Sequence, residues 1–141
     1  MTQHPAGPTP EERVAKAEKS LETAQWALDN NDYDSCVSRA YYAVFHACLA
    51  LLLAYGRPLS LERGSWTTIF NEFVRFTTRE NSWFREIRDR AGSRDLHSSL
   101  LRLVSVREDA DYRVGSVNLE TARVEIQFAR QIVEAVKERL L

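Results

Sequence analysis

From Val14 onward, apolar residues recur at alternating spacings of three and four: Val14, Ala17, Leu21, Ala24 and Leu28. That rhythm is a single stripe along an α-helix. Thr9-Pro10-Glu11-Glu12 supplies its start, with Thr9 as N-cap, Pro10 at the first helical position and Glu12 placed to close a capping box. The polar run DNNDYD (29–34) ends the stripe and puts Asp32 where it can cap a second helix. That second helix, from about 33 to 55, is apolar on most sides and therefore reads as the centre of a bundle, with Gly56 as its left-handed stop.

Arg57-Pro58 forms a loop, and Ser60 is placed to cap a third helix carrying Trp66, Ile69, Phe70, Phe73 and Val74. Another run begins near Asn81, with Trp83, Phe84 and Ile87, and Gly92-Ser93 interrupts it. A fourth main helix follows from about 95 to 112, with Leu96, Leu100, Leu103, Arg107, Ala110 and Asp111 marking its inner face. RVGSVN (113–118) is a turn, and Asn118 caps a last helix whose stripe is Ala122, Ile126, Ala129, Val133, Val136 and Leu140. With only 5 Gly and 4 Pro, the chain has little material for many turns. The pattern predicts an all-α, antiparallel bundle of four or five helices. Residues 9–141 form one domain after a disordered tail over 1–8.

Composition narrows the function classes. The chain has 141 residues, 44% hydrophobic and 28% charged, as expected for one soluble globular domain. Net charge is −1 but uneven: residues 1–38 hold seven acids against three bases, while 57–107 hold ten arginines against six acids. An arginine-biased middle, with Arg85, Arg88, Arg90 and Arg94 close together, reads first as ordinary solvated helix faces and second as a pointer to phosphate or an acidic partner. Cys36 and Cys48 would lie about 18 Å apart on one helix, too far for a disulfide. No C-x-x-C or H-E-x-x-H spacing occurs, so neither a structural metal nor a cofactor is expected. The N-terminus lacks the basic start and apolar run of a signal peptide. The apolar run 40–55 is 16 residues long, short of the roughly 20 that cross a bilayer, so the expectation is a cytoplasmic protein without a membrane partner.

Candidate chemistry sits in two segments. Arg39 and His46 are seven apart, within about 20° of each other on a helix, with Tyr42 between them on the same stripe. Burying a charge without a partner costs several kcal/mol, so this stripe is expected to meet an acid, a subunit or a ligand. In REDADY (107–112), Arg107 and Asp111 are spaced to pair along one helix. If the second and fourth helices are neighbours, Asp111 also reaches Arg39, and tyrosine hydroxyls close a polar network. The structural alternative is an Arg39–Asp111 bond beside a satisfied core histidine. Trp66, Trp83 and Phe84 are core residues or base-stacking platforms. Tyr41 and Tyr112 read as amphipathic packing residues, unless exposure offers one to a partner enzyme.

SRAYYAVFHACLALLLAYG (38–56), preceded by NNDYDSCV and followed some fifty residues later by REDADY, resembles the HEPN domain family, specifically its small stand-alone prokaryotic members. The resemblance runs from about Ala24 to the C-terminus and implies a helical bundle that dimerises. It further implies a nucleotidyltransferase as partner in toxin–antitoxin or defence pairs, with nucleotide or RNA as ligand. Tyr42, Arg107, Asp111 and Tyr112 would then line the binding surface. Several HEPN branches are metal-independent endoribonucleases with an R-x(4–6)-H motif shared across the dimer cleft. Arg39-x6-His46 has that spacing, with Arg39 to hold phosphate and His46 to move protons. The residue after the arginine, polar in those nucleases, is Ala40 here, and Arg107 has no histidine at the required distance. Arg90-x6-His97 also matches but crosses Gly92-Ser93. The expectation is thus a binding or regulatory component, the alternative a ribonuclease toxin with Arg39 and His46 as its catalytic pair.

Overall fold

The computed structural model describes residues 9–57, 65–77 and 96–141. Five helices occupy them: α1 (Pro10–Asp29), α2 (Tyr33–Ala54), α3 (Trp66–Arg75), α4 (Leu96–Tyr112) and α5 (Leu119–Leu140). The protein is an all-α bundle in which α2 touches each of the other four helices. The tail over 1–8, Ser60, the run 81–87 with Trp83 and Phe84, and Arg85, Arg88, Arg90 and Arg94 lie outside the described residues.

Local chemistry sets the helix ends. The Thr9 side chain accepts from Glu12 N while the Glu12 carboxylate accepts from Thr9 N, the reciprocal capping box. Asp32 caps α2 through Ser35 N, and Asn118 caps α5 through Thr121 N at 2.8 Å. Gly56, at φ +78°, ends α2: its N–H donates to Leu53 O, and Arg57 N donates to Leu52 O at 3.0 Å. Asn31, at φ 63°, does the same for α1, where Asp32 N donates to Ala27 O at 2.8 Å. Both are Schellman stops, with Asn31 in the role usually given to glycine. α3 begins at Trp66 with Ser65 in the cap position, and Ser65 makes no side-chain cap bond.

One long-range tie fixes how α4 returns to the bundle. Asp34, in the first turn of α2, accepts from Gly115 N at 2.8 Å and from Val117 N at 3.3 Å. These are charge-assisted bonds to turn amides that only Gly115, at φ +78°, lets the chain present. Asp34→Ala is expected to cost about 1–2 kcal/mol, read as a lower urea midpoint at unchanged slope.

Small residues dominate one stripe of α2. Cys36, Ala40, Ala43, Ala47 and Ala50 follow a four–three repeat and are fully buried. Ala17, Ala24 and Ala27 of α1 join the same clusters, and α1–α2 is the most extensive helix contact among the described residues. Without long side chains between them, the two backbones approach closely and gain dispersion contact. The 22-residue α2 is longer than its apolar run suggested and could span a bilayer by length, but 67% of its most apolar window is buried within the bundle. Cys36 and Cys48 are free and buried, and burial pushes the Cys36 thiol up to about 11.

Candidate functional site

The stripe of α2 that α1, α3 and α5 leave uncovered carries Ser35, Arg39 and Tyr42, with His46 half-buried beyond them. α4 runs beside it in the opposite direction, since Asp34 meets Gly115 while Tyr42 meets Arg107. The Arg107 guanidinium lies over the Tyr41 ring, 4.6 Å from its centroid, and 5.7 Å from that of Tyr42. Its Nη2 donates a long 3.5 Å bond to the Tyr42 hydroxyl. Asp111 Oδ2 stands 3.0 Å from Arg107 Nε, an ion pair whose N–H is not aimed along the contact. The rings are themselves held: Tyr41 is buried and meets the edge of Phe70, with centroids 6.1 Å apart. Stacking of this kind contributes about 1–2 kcal/mol where it is partly desolvated and leaves Arg107 in one orientation.

Charge follows from these contacts. Burial pulls the Arg107 pKa down, but Asp111 and the Tyr42 hydroxyl more than offset it, so the guanidinium holds its proton more firmly than a free arginine. Burial pushes the Tyr41 phenol up against the opposing pull of Arg107, which keeps that ring neutral. His46 moves the other way. Burial lowers its pKa, and the cations Arg13 and Lys16 on α1 add to the effect.

The His46 shift has a consequence for stability. An unfolded histidine takes up its proton near pH 6.5, whereas folded His46 does so only at lower pH. Between those values the unfolded chain binds more protons, so stability falls on acidification through that window and is complete above it. Urea midpoints at about pH 5.5 and 7.5 are expected to differ more for wild type than for His46→Leu.

The geometry corrects several sequence expectations. Arg39 is exposed, and among the described residues it forms no ion pair. The expected Arg39–Asp111 bond is replaced by Arg107–Asp111 within α4. Asp111 lies at the rim and not on the inner face, which is formed by Leu96, Ser99, Leu100, Leu103, Val104 and Ala110. His46 is not a satisfied core histidine, because among the described residues its buried Nδ1 has no hydrogen-bond partner. Tyr41 is the packing residue foreseen, but Tyr112 is 84% exposed. His97 is exposed, and its spacing partner Arg90 lies outside the described residues.

Thus the structure brings Tyr42, Arg107 and Asp111 together, with Arg39 one turn away on α2, and leaves Tyr112 at the end of α4. Sequence reasoning missed Arg13, 8% exposed on the side of α1 that faces His46. It also missed Glu125, 1% exposed, which takes Arg102 in a two-point bond of 2.8 and 3.2 Å. Glu125 falls between Ala122 and Ala129 on the apolar stripe of α5, and that spacing could have flagged it. Chemically, the α2–α4 face offers an unpaired exposed guanidinium, a second guanidinium fixed by stacking, and an exposed phenol. Such a set can hold a phosphate and stack a base. Among the described residues, no group of three His, Cys, Asp or Glu is arranged to hold a metal.

The chain is 36% identical over 103 residues to a UPF0332 protein of Archaeoglobus fulgidus, covering 72% of this chain and 70% of that one. It is 28% identical over 102 residues to a Methanocaldococcus jannaschii protein named "Putative toxin MJ0142", covering 72% and 69% of the two. A UPF0332 protein of Thermotoga maritima is 38% identical over 60 residues, 43% of this chain and 46% of that one. The family model described as "HEPN domain" matches residues 10–139, from the first turn of α1 to the last turn of α5. The chain belongs to the HEPN domain family.

Proposed function

We propose that this HEPN protein is the RNA- or nucleotide-binding, regulatory component of a toxin–antitoxin or defence pair. In this reading it works in the cytoplasm as a homodimer, and its partner protein is a nucleotidyltransferase. The observation that carries the reading is the exposed, unpaired Arg39 one turn from Tyr42, beside an Arg107 held by Asp111 and two tyrosine rings. A cation stacked on aromatic rings suits a phosphate next to a base, and preorganisation lowers the entropy lost on binding. The toxin name of the M. jannaschii relative agrees with a two-component role. Dimerisation through α2 and α4 would set two copies of this face against each other.

A second reading, metal-independent RNA cleavage, is favoured by His46. Among the described residues its Nδ1 has no partner, and its lowered pKa leaves it neutral near pH 7, the form a general base needs. Arg39 would then hold the phosphate while His46 takes the 2′-hydroxyl proton. Gel-shift titration of single-stranded RNA in EDTA tests both readings. The expected result is a shifted, full-length RNA, with Arg39→Ala weakening the shift about tenfold. No shift by well-folded wild type overturns the proposal. Cleavage that disappears in His46→Ala replaces it with the second reading.

A further inference from the structure

On the flank of α1 away from His46, α1 and α5 leave a shallow groove of two adjoining open depressions, about 400 and 390 Å³, which meet at Arg130. Both walls repeat every seven residues. α1 supplies Leu21 and Leu28, and α5 supplies Arg123 and Arg130. Seven residues span about 10 Å of helix and return to within about 20° of the same direction. Each wall therefore presents the same side chain at the spacing of two helical turns.

Among the described residues, the two arginines of α5 that line this groove, Arg123 and Arg130, form no ion pair. One heptad further on, Lys137 meets Glu18 of α1 at 2.7 Å. At the next position, Arg130 Nη2 donates to a neutral amide, Gln25 Oε1, whose own Nε2 is tied to Asp29 at 2.8 Å. Arg123 is exposed and, among the described residues, pairs with no carboxylate. The acid lining the groove is Glu22, on the opposite wall. Trp26, 66% exposed one turn from Glu22, and Val124, 43% exposed, extend its apolar rim.

We infer that this groove docks an acidic amphipathic helix of a partner protein. Its apolar residues at i, i+3 and i+7 rest in the two depressions, acids seven apart meet Arg123 and Arg130, and a base on its other edge meets Glu22. Heptad spacing on both walls fits a helix better than an extended peptide, whose side chains repeat every two residues. Arginine and tryptophan at the edges are residues that dominate binding energy at such contacts.

The probe is a fluorescein-labelled, lactam-stapled peptide of about 18 residues with this pattern, followed by anisotropy against the full chain. Saturable micromolar binding is expected, weakened about tenfold or more by Arg123→Glu and also weakened by Arg130→Gln. A peptide with Lys in place of the two Glu should invert the preference, binding Arg123→Glu better than wild type. Because Arg123 is exposed, that variant is expected to keep the wild-type urea midpoint. The inference is overturned by absent binding up to about 1 mM, or by equal affinity for the acidic and lysine peptides. It is also overturned if Arg123→Glu changes RNA affinity or self-association in place of peptide binding. Since Arg123 stands apart from the α2–α4 face, a failed peptide experiment leaves the RNA reading untouched.

Discussion

Arg102→Ala is expected to destabilise the bundle by about 2–4 kcal/mol, although Arg102 itself is 43% exposed. The cost falls on its partner. Glu125 is 1% exposed, and its two carboxylate oxygens are held by Arg102 Nε at 2.8 Å and Nη2 at 3.2 Å. Removing the guanidinium strands a buried carboxylate, and also removes the arginine from above the Phe128 ring, 5.6 Å away. Because water reaches Arg102 in the native state, the loss should sit below the upper range for fully buried pairs. Glu125→Gln should cost less than Arg102→Ala, since the freed arginine turns to solvent and the amide keeps one acceptor. Urea denaturation of both variants and of the double variant measures the coupling. Equal costs for the two single variants would mean that the buried carboxylate is not the source of the effect.

Ala47→Leu is expected to cost about 1–3 kcal/mol or more, from excess volume and not from lost contact. Ala47 is fully buried in the middle of the small-residue stripe of α2, next to the helix pair with the largest contact. A leucine there must either push α1 away or leave its preferred rotamer. Ala54→Leu, four residues past Ala50 at the exposed end of α2, should change stability by no more than about 0.5 kcal/mol. Similar midpoints for the two variants would mean that α1 and α2 are not closely packed along this stripe.

Much of the fold could be read from residues whose effect is local. Thr9 with Glu12, Asp32, Gly56 and Asn118 set helix ends through bonds to neighbours within a few positions, and each does so in the structure. The pairing of Arg107 with Asp111 is of the same kind, because one turn of helix brings them together. What could not be read is which helix covers which stripe. The periodicity around Arg39 and Ala40 shows an apolar helix but not that Arg39 faces solvent. It also cannot show that Arg107 lies over Tyr41 and Tyr42, since that contact joins residues more than sixty positions apart. Tyr112 looks like its packed counterpart Tyr41 in sequence, yet it ends α4 where nothing follows to cover it. The position of Glu125 on the apolar stripe of α5 marks it as unusual, but its partner, Arg102, lies 23 positions away and is not visible from that spacing.

RNA binding is assigned here to the α2–α4 face. Its most direct test is the anisotropy of labelled single-stranded RNA against wild type, Arg39→Ala and Arg123→Glu, in EDTA at about 50 and 200 mM salt. Arg39→Ala is expected to bind about tenfold more weakly and with a shallower salt dependence, while Arg123→Glu matches wild type. RNA affinity unchanged in Arg39→Ala, or reduced equally in Arg123→Glu, would contradict it.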